Sequence, residues 1–275
     1  AATILSRSGD LVLTTTAALV PHLGAAGFQD MFALSGTGSA GANATAAVVR
    51  RDFPGVTTAA LLFPGDDSGV DFRRYYTAAF RSAGIRVVYS QLYPDGTTDY
   101  TAQLTAMRAD HPGILVTGDF DAQVAPIVTE ALQLGATKIF AVAGSASPVS
   151  AAGHESVPGF AYLYGISGPV LSDPTPGVRR FSASFARYLG RPPTQPLDYL
   201  SAVTHDGLAL LLAAMQQAGT TTDIPRIVAT MPRVRSYPDD YLGMSFPARH
   251  IAAYLQYLGV IRAGRETYVP ISGAR

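Results

Sequence analysis

Four short aliphatic runs set at a near-constant pitch constrain this chain more than any other feature. Thr57–Phe63 (TTAALLF), Ile85–Tyr89 (IRVVY), Gly113–Thr117 (GILVT) and Lys138–Ala143 (KIFAVA) begin 28, 28 and 25 residues apart. Each is too short for a helix and lacks strict alternation, the pattern of strands buried on both faces. Helical stripes fill the gaps. Phe72, Tyr76, Ala79, Phe80 and Ala83 form the first. Tyr100, Leu104 and Met107 form the second, and Val124, Ile127, Val128, Ala131 and Leu132 the third. Gly84 and Gly135 stand where C-terminal caps belong. Strand, helix, strand at this pitch means repeated βα units, whose right-handed crossovers give a parallel sheet with helices on both faces. The expected fold class is α/β.

Outside this block the pattern changes. Asp10–Thr16 (DLVLTTT) and Met31–Leu34 (MFAL) read as strands joined by a Pro21–Gly27 loop, followed by a helix over Ala40–Phe53. A strand at Phe160–Tyr164 precedes a Gly/Pro/Ser-rich stretch, Gly165–Gly177. Helices are expected over Val178–Leu189, Leu197–Ala218 and Asp223–Met231, and Ile251–Ile261 reads as one final strand.

Several classes of function drop out on composition. Hydrophobic residues make up 48% of the 275 and charged residues 15%, enough apolar material for a packed core. Twenty Lys and Arg balance twenty Asp and Glu. The basic excess of a nucleic-acid binder is therefore absent. No apolar run approaches the ~18–20 residues of a membrane span, so the chain is not expected to cross one. Cysteine is lacking altogether, which removes disulfides and thiolate chemistry. His22, His111, His154, His205 and His250 show no ligand spacing, so neither a metal site nor a cofactor is expected. No G-x-S-x-G elbow occurs. The sequence opens at Ala1 with no basic-then-apolar leader, as a processed or trimmed chain does.

Two short motifs carry little. Gly36-Thr37-Gly38-Ser39-Ala40-Gly41 spells G-x-G-x-x-G, but the dinucleotide fingerprint wants a full βαβ unit and an acid about 20 residues on. The strand before it is short, and Asp66 lies 30 residues past Gly36. A flexible connecting loop is the better reading. Asn43-Ala44-Thr45 is a glycosylation sequon on a predicted helix.

From Val56 to Ser147 the sequence resembles the type I periplasmic solute-binding proteins, in particular the branched-chain amino acid-binding group that serves ABC transporters. One element of the likeness is the strand ending Phe63-Pro64-Gly65-Asp66-Asp67-Ser68-Gly69, before a helix with paired tyrosines. A second is Gly84-Ile85-Arg86-Val87-Val88 leading to Tyr93-Pro94-Asp95-Gly96 and on to Asp99-Tyr100 and Leu104. Gly113–Gly118 before a helix ending Ala131–Gly135 is a third. Leu197-Asp198-Tyr199 through His205-Asp206-Gly207 is a fourth, where the family often has Tyr-Asp-Ala. Residues 9–35 also fit.

The resemblance implies two α/β lobes joined by crossovers, with ligand enclosed in the cleft between strand ends. The first lobe is expected from 1–54 and 166–254, the second from 55–165 and 255–275. The family carries further residues ahead of the point matching Ala1, which supply an opening βαβαβ, so the first lobe is expected to be incomplete.

By the same resemblance Thr15, Thr16 and Ala17 present amides and hydroxyls to a ligand carboxylate. Ser68, Asp119, Phe120 and Ser145 close from the second lobe, and Ser35 or Gly36 faces the cleft. Structural alternatives stand beside these. The threonines also suit a β-branched strand, Ser68 with Asp66 and Asp67 a turn or helix cap, and Asp119 or Asp121 a cap. The family commonly has Thr or Ser where Leu19 stands here. Amino acid binders of the group place an acid after the fourth strand, and Gly144-Ser145-Ala146-Ser147 offers none. A buried ammonium without a carboxylate is costly, which weighs against an ordinary α-amino acid unless Asp119 substitutes.

The function implied is a non-catalytic, periplasmic or extracytoplasmic binding protein for a small organic solute, amino acid-like or carboxylate. Its lobes close by hinge motion and an ABC transporter permease reads the closed form. A ligand-sensing domain of a regulator is the alternative, and a nucleotide-dependent enzyme a more remote one.

Overall fold

The computed structural model describes residues 9–15, 30–34, 38–118, 121–144, 148–166, 170–193, 199–248 and 250–271. The chain forms two compact units, each discontinuous in sequence. Unit 1 comprises residues 1–37, 166–257 and 272–275, and unit 2 comprises 38–165 and 258–271.

Unit 2 is built on strands β3 (Thr58–Pro64), β4 (Arg86–Tyr93), β5 (Ile114–Thr117), β6 (Ile139–Val142) and β7 (Ala161–Ile166). The C-terminal strands β10 (Tyr257–Arg262) and β11 (Arg265–Pro270) join them, giving the order β11-β10-β7-β6-β5-β3-β4. The pairs β3–β4, β3–β5, β5–β6 and β6–β7 are all parallel. Their register lines up one aliphatic row across the sheet, Leu61 beside Val116, Val116 beside Ala141 and Ala141 beside Leu163. All four are buried, as expected of a sheet covered on both faces. The fold is therefore α/β with mainly parallel sheets flanked by helices.

Helices α1 (Gly38–Asp52), α2 (Asp67–Ser82), α3 (Thr101–Ala109) and α4 (Asp121–Gln133) belong to this unit. The expected stripe of α2 faces the core: Phe72, Tyr76, Ala79 and Phe80 are buried with Phe63 of β3. Burial pushes the Tyr76 phenol up to about 12, against a hydrogen bond shared with Thr45 that lowers it. Gly38 lets α1 approach α2 closely, since a Cβ there would lie 3.0 Å from the Phe72 ring.

Two helices end in the same way. In α2 the amide of Ile85 donates to the Phe80 carbonyl and that of Gly84 to Arg81. In α4 the amide of Ala136 donates to Ala131 and that of Gly135 to Leu132. This is the Schellman arrangement, and the left-handed φ of +75° at Gly84 and +64° at Gly135 explains why glycine stands at both.

Unit 1 carries a smaller sheet of β1 (Val12–Thr14), β2 (Met31–Ala33), β9 (Ile251–Ala253) and β8 (Ser245–Ala248), in the order β1-β2-β9-β8. Strands β1–β2 and β2–β9 run parallel, while β8–β9 is antiparallel. Helices α5 (Pro176–Leu189), α6 (Tyr199–Ala218) and α7 (Ile224–Thr230) complete it. Its core joins Phe32 and Leu34 to Val203 and Leu210 of α6 and to Met244, Phe246 and Tyr254.

One expectation is corrected. The apolar segment Ile251–Ile261 is two strands in two different sheets, β9 and β10. The break falls at Tyr254-Leu255-Gln256, where the chain leaves the small sheet to join the large one. A nearly continuous apolar run conceals this change, because β10 is largely buried and β9 is half-buried.

Candidate functional site

Open α/β sheets bind ligands at the carboxyl ends of their strands, and in unit 2 that edge is assembled by close backbone approach. The Gly65 amide donates to the Tyr93 carbonyl at 2.8 Å, and the Tyr93 hydroxyl donates to the Gly118 carbonyl at 3.0 Å. The Ala143 amide donates to Thr117 at 2.8 Å. A Cβ at Gly118 would lie 2.9 Å from the Ala143 carbonyl oxygen, and one at Gly69 only 1.9 Å from that of Pro64. Small residues at these strand ends thus hold adjacent βα turns together. Tyr93 is 2% exposed and ties β4 to the end of β5. Sequence reading placed Tyr93 in a motif without assigning it this role.

At the head of α2, Asp66 is the N-cap. Its Oδ1 accepts from the Gly69 amide at 2.7 Å and from the Ser68 hydroxyl at 2.8 Å. Ser68 is half-buried in the first turn. Both the capping role weighed for this cluster and a place at the carboxyl edge therefore describe it. Asp99 accepts from the Thr101 amide at 2.9 Å ahead of α3, and this bond holds its carboxyl below the usual range.

In unit 1, Thr15 follows β1 and is exposed, and the Thr14 carbonyl accepts from the Leu34 amide at 2.7 Å. Thr15 and Ser68 belong to different units. Thr16, Ala17, Ser35, Asp119, Phe120 and Ser145 lie outside the described residues, as do Gly36 and Thr37 of the glycine motif. The rest of that motif opens α1, and its preceding strand β2 has three residues. In the sequon, Thr45 is buried and shares a hydrogen bond with the Tyr76 hydroxyl at 3.4 Å. Among the described residues no group of three His, Cys, Asp or Glu is placed to hold a metal ion, and no helix is long and apolar enough to cross a membrane.

Among the described residues of unit 1, Asp206 of α6 is a heavily bonded acid whose side chain is fully buried. Its Oδ2 accepts from the amides of Leu242 at 2.7 Å and Tyr241 at 3.0 Å, and from the Tyr237 hydroxyl at 3.2 Å. His205 Nδ1 lies 3.2 Å from Oδ1. Burial holds this carboxyl above the usual carboxylate range, opposed by the Leu242, His205 and Tyr241 hydrogen bonds and assisted by the charge of Asp240. Ionisation therefore costs the folded state. The stabilisation is full below the unfolded-state value of about 3.9 and is lost as pH rises through the higher folded-state value. Relative to Asp206→Asn, the wild-type protein is expected to lose stability across that window. Urea melts of both at stepped pH measure the difference, and parallel curves would contradict it.

Beside this cluster, unit 1 holds a cavity of about 510 Å³ whose walls include Asp173, Val178, Tyr241, Leu242 and Tyr254. The Tyr257 hydroxyl donates to Asp173, which also accepts from the Thr175 amide at 2.8 Å.

Comparison with known proteins places this geometry in a family context. The family described as periplasmic binding protein matches residues 1–262. No curated protein matches the sequence. Among solved structures, a leucine binding protein from Thermotoga maritima is 17% identical with a TM-score of 0.78, over 99% of this chain and 76% of that one. A branched chain amino acid ABC transporter protein from Thermus thermophilus with bound valine is 17% identical, TM-score 0.72, over 98% and 73%. A solute binding protein from R. palustris in complex with benzoate is 14% identical, TM-score 0.72, over 98% and 72%.

Proposed function

This chain belongs to the periplasmic binding protein family, and from that membership we propose that it is the solute-binding protein of an ABC transporter, acting outside the cytoplasm. The family is one of non-enzymatic binding proteins. The match over residues 1–262 is the observation that carries the reading. The solute is a small organic carboxylate or an amino acid-like compound, held at the carboxyl ends of the sheet strands, and the partner is the transporter's permease.

Residue chemistry supports this class of ligand. Hydroxyls and amides at Thr15, Thr16 and Ala17 suit a carboxylate, and the Ser35 hydroxyl is of the same chemistry. Ser68, Asp119, Phe120 and Ser145 of the second unit are the further candidates, polar and apolar, for ligand recognition. The absence of an acid at Gly144–Ser147 favours a carboxylate without an ammonium group. Structural relatives hold valine in one case and benzoate in another, so the fold accommodates both chemistries.

A thermal-shift panel tests the proposal, with benzoate and aliphatic carboxylates on one side and leucine and valine on the other. A ligand at 100 times its Kd adds about 2.7 kcal/mol, which for a chain of this size raises Tm by roughly 5–10 °C. Such a shift with a carboxylate, smaller or absent with the amino acid of matching shape, is the expected result. A cooperative melt that no member of the panel moves would overturn the proposal.

A further inference from the structure

Residues Tyr237–Met244 form neither strand nor helix, yet they are held at many points. On one side is α6. Asp206 takes the Tyr241 and Leu242 amides and the Tyr237 hydroxyl, and the His205 ring lies 4.7 Å from that of Tyr241. On the other side is α5. Arg180 donates to the Asp240 carbonyl at 2.7 Å, and the Phe181 ring lies 5.6 Å from Tyr241. Gly177 allows the closest approach, since a Cβ there would stand 2.3 Å from the Tyr241 carbonyl oxygen. Within the segment, the Met244 amide donates to the Tyr237 hydroxyl at 3.1 Å and the Gly243 amide to Asp240 at 2.6 Å. Left-handed φ values of +55° at Asp239 and +65° at Gly243 mark its bends.

Such a segment has no ladder of its own. It is held instead from α5 and α6, with the buried Asp206 carboxyl taking two of its backbone amides and Gly177 allowing the closest approach. Segments outside helices and strands open locally at lower free energy than core strands, and this one is bonded to its neighbours by side chains rather than by a ladder. Asp240 to Gly243 also line the cavity of unit 1.

We infer that Tyr237–Met244 is a strap, clasped by Asp206, that opens as one local unit while the sheet of unit 1 stays folded, and that it is the movable wall of the cavity. Tyr237 links the two ends of the strap, donating to the clasp while accepting from Met244. Losing the clasp therefore removes an anchor common to both ends.

Hydrogen exchange on the intact chain tests this, comparing the strap amides of Tyr241, Leu242 and Met244 with sheet amides of the same unit, Ala33 and Leu34. In the wild-type protein the strap amides are expected to exchange at least about tenfold faster than the sheet amides. Asp206→Ala leaves three donors without their acceptor and is expected to widen that ratio by roughly 100-fold. Asp206→Asn keeps an acceptor oxygen and is expected to widen it by less than about tenfold. Gly177→Ala strains the strap from the opposite side without touching the clasp and is expected to widen the ratio as well, so the inference stays testable if Asp206→Ala fails to fold. Strap and sheet amides that exchange in parallel in all of these proteins would overturn it.

Discussion

Phe63→Ala is expected to lower the stability of unit 2 by about 3–5 kcal/mol. The side chain is fully buried at the end of β3, with its ring centroid 6.1 Å from that of Phe72 and 6.0 Å from that of Tyr76 on α2. Truncation removes the apolar burial and leaves a void, because neither neighbouring ring can follow a fixed strand end. Calorimetry is the suitable measurement, since two compact units need not melt together. A drop of roughly 10 °C in the transition of unit 2 is expected at 2–4 °C per kcal/mol. A loss below about 1 kcal/mol would show that β3 and α2 are not joined through this ring.

Gly69→Ala is the second large effect. The added Cβ would meet the Pro64 carbonyl oxygen at 1.9 Å, a backbone atom that cannot rotate aside, so the first turn of α2 must move off the strand end. We expect a cost of about 3 kcal/mol, at the upper end of ordinary overpacking. Asp66 and Ser68 move with that turn, so any ligand-induced thermal shift should also shrink. Gly41→Ala is the control: nothing lies within 4 Å of its Cβ, and alanine in a helix should add about 0.5–1 kcal/mol. Denaturant midpoints for the pair settle the matter, and equal stability of Gly69→Ala and wild type would refute the close packing.

The central strands were legible for a physical reason. Strands buried on both faces must be aliphatic throughout: β5 and β6 lie within the runs read from the sequence, and β3 matches its run to within one residue at each end. Strand β11 is the opposite case. Its residues are mostly exposed and polar, and it forms because Ala263 and Gly264 take left-handed φ values in a two-residue turn that returns the chain beside β10. Strand β8 is short and contains Pro247, a residue that argues against a strand when read alone. At the candidate site, Ser68 and Asp66 carried their signal locally, as hydroxyl and carboxylate ahead of a helix. Asp206 did not. A lone acid within an apolar helix is visible, but its partners come from residues 237–242, and no spacing in the sequence connects the two.

The discontinuous order of the large sheet has a consequence for biosynthesis. Strand β7 ends at Ile166 and its neighbour β10 begins at Tyr257, so residues 167–256 leave the ribosome between them. Until the last hairpin emerges, β7 presents an unpaired edge, the kind of surface that templates association between nascent chains. Closing so long a loop also delays completion of the sheet, because sequence-distant pairings form slowly. Final assembly of unit 2 thus waits until residues 257–270 have been made, and the interval before it is when the β7 edge most needs protection from other copies of the chain.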